Sequence, residues 1–438
     1  MKTTVIAAAL ALMTGFTFAE DMLLKGATVH TVSGETLATG DVLVKNGKIV
    51  SVGASLDAGG ASVVDLKGMH LYPGLIAATS SLGLTEIGAV RATNDDSEVG
   101  GWTPDVDAWI AVNPDSELIP VARANGITHA LTLPTGGTIA GRSGVIALDG
   151  WTWEDMTIRG PAAIHLNWPR MDLNLDAGGR RRRRRAPANP DEEMGPEKQA
   201  EERRARLKEI DDFFEEAKSY DKGRASGGIP DGRIVPAWEA LRPALKGEIA
   251  IFINASDERQ ILAALAWVEK QGLKNAVLVG ARDADRCAEA LAKAKIPVIF
   301  ENVFDQPARD TENYDVHFTA PKRLVEAGVP VAFSVGAGSW GTWGARNLPY
   351  HAAQAAAFGM PREEALKAIT LTPARILGIA DRLGSIEKGK EASLIAVDGD
   401  ILDIRSNVKR MWIAGVERSL ESRHTKLYEK YKGRPPVK

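Results

Sequence analysis

Among the seven histidines of this chain, none stands in a His-x-His or His-x-x-x-His spacing, and there is a single cysteine, Cys287. Those spacings matter because they put two imidazoles on one face of a strand or a helix, where both can reach one metal ion. The proton chemistry available near neutral pH therefore rests on isolated groups. His129 and His165 lie in apolar runs, Ile127-Thr128-His129-Ala130-Leu131 and Ala163-Ile164-His165-Leu166. Each is either a functional imidazole at a strand end or a hydrogen-bonded structural residue. His351 follows Arg346-Asn347-Leu348-Pro349-Tyr350, a loop after an apolar run. Two carboxylates also follow strand-like runs: Glu86, with Arg91 five residues on, and Glu301, followed by Asn302. A carboxylate and an arginine at a site can serve as general base and anion clamp, and the alternative is a structural ion pair. A metal-free mechanism built from Glu86, Glu301 and a histidine stays open. Ser80 or Ser81 as nucleophile would need a neighbouring base, and no Gly-x-Ser-x-Gly elbow surrounds them. Trp102, Trp109, Trp151, Trp153, Trp168, Trp340 and Trp343 fall around loops, and the glycine-rich Trp340-Gly341-Thr342-Trp343-Gly344 suits a pocket wall better than a core.

The elements that must position these residues differ along the chain. Residues 22–65 alternate short apolar runs with Gly and Asn, and Asn46-Gly47 between two such runs signals a tight hairpin. The same texture returns at 392–397 and 408–413, so a small β domain is expected to be completed by both ends of the chain. Between them, apolar runs at 127–133, 162–166, 249–254, 275–279, 296–300 and 329–335 alternate with helical patterns such as 258–270 and 284–293. This predicts a parallel sheet with covering helices, either a closed (β/α)₈ barrel or a doubly wound open sheet. Residues 174–236 break the alternation with six consecutive arginines, Arg180 to Arg185, several prolines, and a charged helix at about 197–220. That helix carries Leu207, Ile210, Phe213, Phe214 and Ala217 on one side, predicted to cap the barrel or to meet a second subunit.

With 54 Lys+Arg against 57 Asp+Glu, the formal charge of −3 argues against a nucleic-acid binder. The arginine run does not change this, since no aromatics interleave with it and Asp191, Glu192 and Glu193 stand nearby. At the N-terminus, Lys2 precedes an apolar stretch that ends in Thr17-Phe18-Ala19. Small residues at the −3 and −1 positions read as a secretory signal peptide over 1–19, cut after Ala19. The stretch is shorter than a bilayer-spanning helix requires, and no later one is apolar enough, so no stable membrane span is expected. The mature protein is expected outside the cytoplasm, in the periplasm if the source is a Gram-negative bacterium.

Three blocks resemble the amidohydrolase superfamily, the metal-dependent hydrolases related to imidazolonepropionase and dihydroorotase. They are Pro73-Gly74-Leu75-Ile76-Ala77-Ala78-Thr79-Ser80-Ser81-Leu82-Gly83, the helix Ala368-Ile369-Thr370-Leu371-Thr372-Pro373-Ala374-Arg375-Ile376-Leu377-Gly378, and the return Leu383-Gly384-Ser385-Ile386-Glu387-Lys388-Gly389. The resemblance spans nearly the whole mature chain and favours the barrel. It implies a (β/α)₈ TIM-type α/β barrel over 73–378, with an insertion at about 174–236. It also implies a small β-sandwich formed from 20–72 plus 379–438, and hydrolysis of carbon–nitrogen bonds other than peptide bonds at a site holding Zn²⁺ or another divalent metal.

The ligand positions of this chain depart from that pattern. Thr79 and Ser81 stand where the first His pair belongs, Ala77 replaces an Asp, Asn254 and Ser256 occupy a later His pair, and residues 331–336 lack the closing Asp. Hydroxyls and carboxamides are poor ligands for Zn²⁺, so no cofactor is expected. Two functions follow: a divergent exported hydrolase with a degenerate metal site, or a catalytically inactive periplasmic ligand-binding or scaffolding subunit beside an active amidohydrolase. The catalytic candidates are Glu86, Glu301, His165, Arg346 and His351. The expected partners are a small-molecule ligand or substrate, and a second copy or a paralogous subunit.

Overall fold

The computed structural model describes residues 20–173, 195–301 and 303–435. The expected signal peptide, the Arg180–Arg185 run and Asn302 lie outside them. Five strands open the described chain: β1 (Met22–Val29), β2 (Leu37–Lys45), β3 (Lys48–Gly53), β4 (Ser62–Asp65) and β5 (His70–Pro73). Eight follow with helices between most of them: β6 (Leu75–Ser80), β7 (Ile127–Thr132), β8 (Ile139–Ala147), β9 (Thr157–Asn167), β10 (Ala250–Ala255), β11 (Ala276–Gly280), β12 (Val298–Phe300) and β13 (Val331–Phe333). The last three are β14 (Leu394–Val397), β15 (Val408–Ile413) and β16 (Val416–Arg418).

Strands from both ends build one sheet, in the order β16-β15-β14-β5-β1-β2-β3, with β4 also paired to β1. β1 bends at Gly26, so its first half pairs with β4 through Met22–Lys25 and its last residues pair with β5. The β2–β3 hairpin turns on Asn46 (φ 49°) and Gly47 (φ 75°), the backbone that an Asn-Gly pair adopts with least strain. Val42, Val44, Ile49, Leu71, Leu394 and Trp412 fill the core under this sheet.

The middle strands form the second sheet, a nearly closed barrel with the order β13-β12-β11-β10-β9-β8-β7-β6. Seven strands run parallel and β8 runs antiparallel to both its neighbours. Alternate residues point inward, and Ile76, Leu131, Val145, Ala163, Phe252, Val277, Ile299 and Ala332 make a filled interior rather than a pore. β8 is the one barrel strand absent from the sequence reading. Its pattern is interrupted by Gly141 and Gly144, and glycine weakens any strand signal. Gly144 is required for packing: a Cβ there would come within 2.6 Å of the Trp109 ring.

β13 and β6 are the two ends of the ladder, and other groups close the seam between them. At its lower half, Phe333 N donates to Ala368 O (2.9 Å) and Ile76 N to Ile369 O (3.0 Å). At its upper half Ser334 bridges instead, its hydroxyl accepting from Thr79 N (3.2 Å) and donating to Thr79 O (2.8 Å). Backbone groups left unpaired by the missing ladder are thereby satisfied.

The charged helix is observed at Pro196–Ala225, and its Phe213 packs on Trp102 of the loop after β6 at 4.7 Å. The helix belongs to the crossover from β9 to β10, where it buries Ile210, Phe214, Ala217 and Tyr220. Phe214 sits edge-on to Trp267 of the next barrel helix at 4.8 Å. Burial of this stripe, which the sequence already placed on one side of the helix, holds the helix to the barrel's flank.

Candidate active site

Because the barrel strands are parallel, their C-terminal ends converge on one face, and the loops there carry the polar residues. A cavity of about 430 Å³ opens at this face, lined by His165, Asn167, Asn254, Glu301, Asp305 and Trp340 among others. Of the sequence candidates, it gathers His165 from β9, Asn254 from β10 and Glu301 from the end of β12. Thr79, at the end of β6, reaches Glu301 directly.

Glu301 is the centre of this arrangement. Its carboxyl is partly buried, and Thr79 Oγ1 donates to it at 2.5 Å. Burial pushes its pKa from the ordinary carboxylate range up to about 7, against the lowering effect of the Thr79 hydrogen bond and with a smaller push from Asp305. A carboxyl poised near neutrality exists in both protonation states at working pH, which suits it to take a proton and return it.

His165 is buried and lies edge-on to Phe252 at 5.2 Å. Its Nε2 is 2.7 Å from Ser143 Oγ, whose own proton goes to Ala163 O at 3.4 Å. Ser143 therefore accepts from Nε2–H, which leaves Nδ1 unprotonated. Burial holds the pKa of His165 down to about 3, so the ring is neutral across the physiological range. Asn254 Nδ2 donates to Asn167 Oδ1 (3.3 Å), and Asn167 donates to Gly136 O and Gly137 O (both 2.9 Å), so the two carboxamides form one oriented pair on the cavity wall.

The remaining candidates lie elsewhere. Ser81 is buried and accepts from Gly338 N (3.0 Å), fixing the turn after β13. Ser256 receives no role in the cavity; its N–H donates to Gln260 Oε1 (2.8 Å) at the start of the helix Glu258–Gln271. Glu86 sits in the loop after β6, where its N–H donates to Thr93 O, and is not a lining residue. Arg346 turns away to His424 of the C-terminal helix, at 2.9 Å from its Nδ1. His351 is buried on the helix Leu348–Ala357, edge-on to Phe304 at 4.8 Å, and burial lowers its pKa to about 4. His129 lies inside the barrel with Nδ1 2.9 Å from Thr128 Oγ1, and burial lowers its pKa to about 3. Of the tryptophans, Trp340 flanks the cavity, whereas Trp109 is core and Trp151 is 92% exposed. Ser334 and Asn167 were missed in the sequence. A lone Ser or Asn at a strand end carries no spacing signal, and only the closed barrel shows what it touches.

The divalent metal that the resemblance implies can be tested against these donors. The site offers two carboxyls (Glu301, already engaged by Thr79, and Asp305), one imidazole whose Nε2 is committed to Ser143, and neutral oxygens from Thr79, Ser334 and Asn254. Among the described residues no group of three or more His, Cys, Asp or Glu is placed to hold a metal ion. The donor set does not fit Zn²⁺, which takes three or four imidazole, thiolate or carboxylate ligands.

The model of the amidohydrolase family matches residues 194–420. A curated relative, Amidohydrolase tasK of Hapsidospora irregularis, is 23% identical over 400 residues, covering 86% of this chain and 39% of the relative. The chain thus spans well under half the length of that relative. Among solved structures, an amidohydrolase from Thermotoga maritima MSB8 superposes with a TM-score of 0.77 at 28% identity, covering 90% of this chain and 99% of the other. An adenosine deaminase from Xanthomonas campestris with bound zinc shares the fold, with a TM-score of 0.50 at 18% identity over 91% and 92% of the two chains.

Proposed function

The chain belongs to the amidohydrolase family, and we propose that it is a hydrolase of carbon–nitrogen bonds other than peptide bonds, acting on small amides or cyclic amides with a degenerate metal site. The observation that carries this is Glu301, held near pKa 7 at the end of β12 in a cavity of small-molecule size. Ionised Glu301 takes a proton from a water as its oxygen attacks the substrate carbonyl carbon. The tetrahedral oxygen is placed to accept from the second carboxamide N–H of Asn254, whose first is held by Asn167 Oδ1, a neutral form of oxyanion stabilisation. The carbon–nitrogen bond then breaks, and protonated Glu301 returns the proton to the departing nitrogen. Neutral His165 accepts at Nδ1 and orients the substrate N–H. General acid–base catalysis of this kind contributes roughly 10²- to 10⁴-fold, so turnover is expected to be slow beside that of a metal hydrolase.

The same proposal includes export, with cleavage after Ala19. Its support is the apolar N-terminal stretch in the sequence; no helix of the described residues is long and apolar enough to cross a membrane. A second reading is a ligand-binding or scaffolding subunit beside an active amidohydrolase, and its support is that Thr79, Ser81, Asn254 and Ser256 stand at the positions the resemblance assigns to imidazoles. The deciding experiment uses untagged mature protein. Metal content is measured by mass spectrometry before and after incubation with Zn²⁺, and hydrolysis is followed on a panel of cyclic imides, ureas and simple amides. Substoichiometric metal with slow turnover that Glu301→Gln abolishes is the expected result. Stoichiometric zinc overturns the degenerate site, and ligand binding without turnover selects the subunit reading.

A further inference from the structure

A second cavity, of about 450 Å³, lies at the opposite face of the barrel, among residues at the N-terminal ends of the strands. Its walls mix apolar surface from Val277, Pro297, Pro330 and Ile376 with charge from Arg159, Lys295, Arg375 and Glu248. Three cations against one carboxylate leave an excess of two positive charges. Among the described residues none of the three cations has a carboxylate partner. Arg159 is instead held by backbone carbonyls, Nη1 donating to Gly378 O (2.6 Å) and Leu377 O (3.3 Å) and Nη2 to Glu248 O (3.0 Å). Carbonyl partners fix a guanidinium in place without neutralising it, so its charge remains available to a ligand.

The chain is shaped to admit this arginine. Gly378 has φ +66°, and a Cβ at that position would fall 1.8 Å from Arg159 Nη1. Lys295 also holds a left-handed backbone, φ 55°, at the C-terminal end of the helix Ala288–Ala294. That conformation is disfavoured for a residue with a side chain, and it sets Lys295 on the rim of the cavity. One guanidinium of fixed geometry and two exposed cations around a concave, partly apolar volume are the chemistry of anion recognition, with arginine forks and a lysine point charge suited to phosphate oxygens.

We propose that this cavity is a binding site for a small organic phosphate, a dianionic phosphate monoester whose charge matches the two excess positive charges and whose organic part lies on the Pro297 and Pro330 wall. It is independent of the Glu301 cavity, since the two share no lining residue. The test is calorimetric titration of the full protein with phenyl phosphate at pH 8, at constant ionic strength, with sodium sulfate as the control anion. The expected result is saturable one-site binding, not reproduced by sulfate, and weakened about tenfold or more in Lys295→Ala/Arg375→Ala, as the loss of charged hydrogen bonds requires. Both residues are exposed, so the double variant is expected to fold, and an unchanged circular-dichroism melting curve checks this. Absence of saturable binding overturns the proposal, and so does equal affinity in the double variant. Should that variant melt early, Lys295→Gln alone, which removes only charge, is titrated under the same two criteria.

Discussion

Thr79 Oγ1 and Glu301 Oε1 lie 2.5 Å apart although 222 positions separate them in the chain. Ser334 Oγ continues the line, 2.7 Å from Thr79 Oγ1 and 2.8 Å from Thr79 O. With Glu301 protonated, each hydroxyl donates onward: Glu301 to Thr79, Thr79 to Ser334, Ser334 to the Thr79 carbonyl. With Glu301 ionised, the Thr79 hydroxyl rotates to donate to the carboxylate. One side-chain rotation serves both protonation states, which is what a group that takes and returns a proton needs.

Turnover should follow the ionisation of Glu301. Its pKa of about 7 predicts a rate that rises with pH through neutrality, as the base form fills. Glu301→Gln should lower the rate about 10²- to 10⁴-fold and remove that limb of the profile. A pH–rate profile of both proteins on one cyclic amide checks it, and a limb that survives in the variant assigns the base elsewhere.

The same group should cost stability at alkaline pH. Its folded pKa lies above the unfolded carboxyl value, so between about pH 4.5 and pH 7 the folded state holds a proton that the unfolded state has lost. Stability then falls as pH rises through that window, by as much as about 3 kcal/mol. Urea denaturation of wild type and Glu301→Gln at pH 5 and pH 8 measures this. The variant should gain on the wild type between the two values.

The buried histidines act in the opposite direction. His129 and His165 have pKa values held by burial to about 3, below their unfolded values. As pH falls from about 6.5 toward 3 the unfolded state gains protons that the folded state refuses, so stability drops on acidification. Nitrogen-15 spectra of the imidazoles should show both rings neutral from pH 8 to pH 5. A ring that titrates near pH 6.5 while the fold is intact contradicts the burial described.

Removing the bridge at the barrel seam should be costly. Ser334→Ala leaves Thr79 N and Gly336 N without the oxygen they donate to, at 3.2 Å and 3.3 Å respectively. Two buried donors without partners should destabilise the fold by about 2 kcal/mol or more. Chemical denaturation measures the loss, and Ser334→Thr, which keeps the hydroxyl, should recover much of it. A neutral Ser334→Ala would show that the seam is held by the Ala368 and Ile369 carbonyls alone.

Local signals accounted for much of the architecture. Apolar runs marked six of the eight barrel strands, the family resemblance marked β6, and the Asn46-Gly47 hairpin marked the outer sheet, because each leaves a trace in neighbouring residues. β8 escaped because Gly141 and Gly144 serve packing against other elements, Gly144 making room for Trp109. The amphipathic stripe of Pro196–Ala225 was visible, but its partner Trp267 was not, since that contact reaches past β10 to the helix Glu258–Gln271.

For the site the division is sharper. The family resemblance set Thr79, Ser81, Asn254 and Ser256 at positions where imidazoles are expected, and residue types at the strand ends made Glu301 and His165 candidates. Tertiary structure decided which of these meet: Glu301 with Thr79, and His165 and Asn254 on the same cavity, while Arg346 turns to His424 of the C-terminal helix and His351 packs on Phe304. It also decided the character of Glu301, because a carboxyl's pKa is set by how much water the closed barrel leaves around it. That depends on residues hundreds of positions away, and no local pattern in the chain records it.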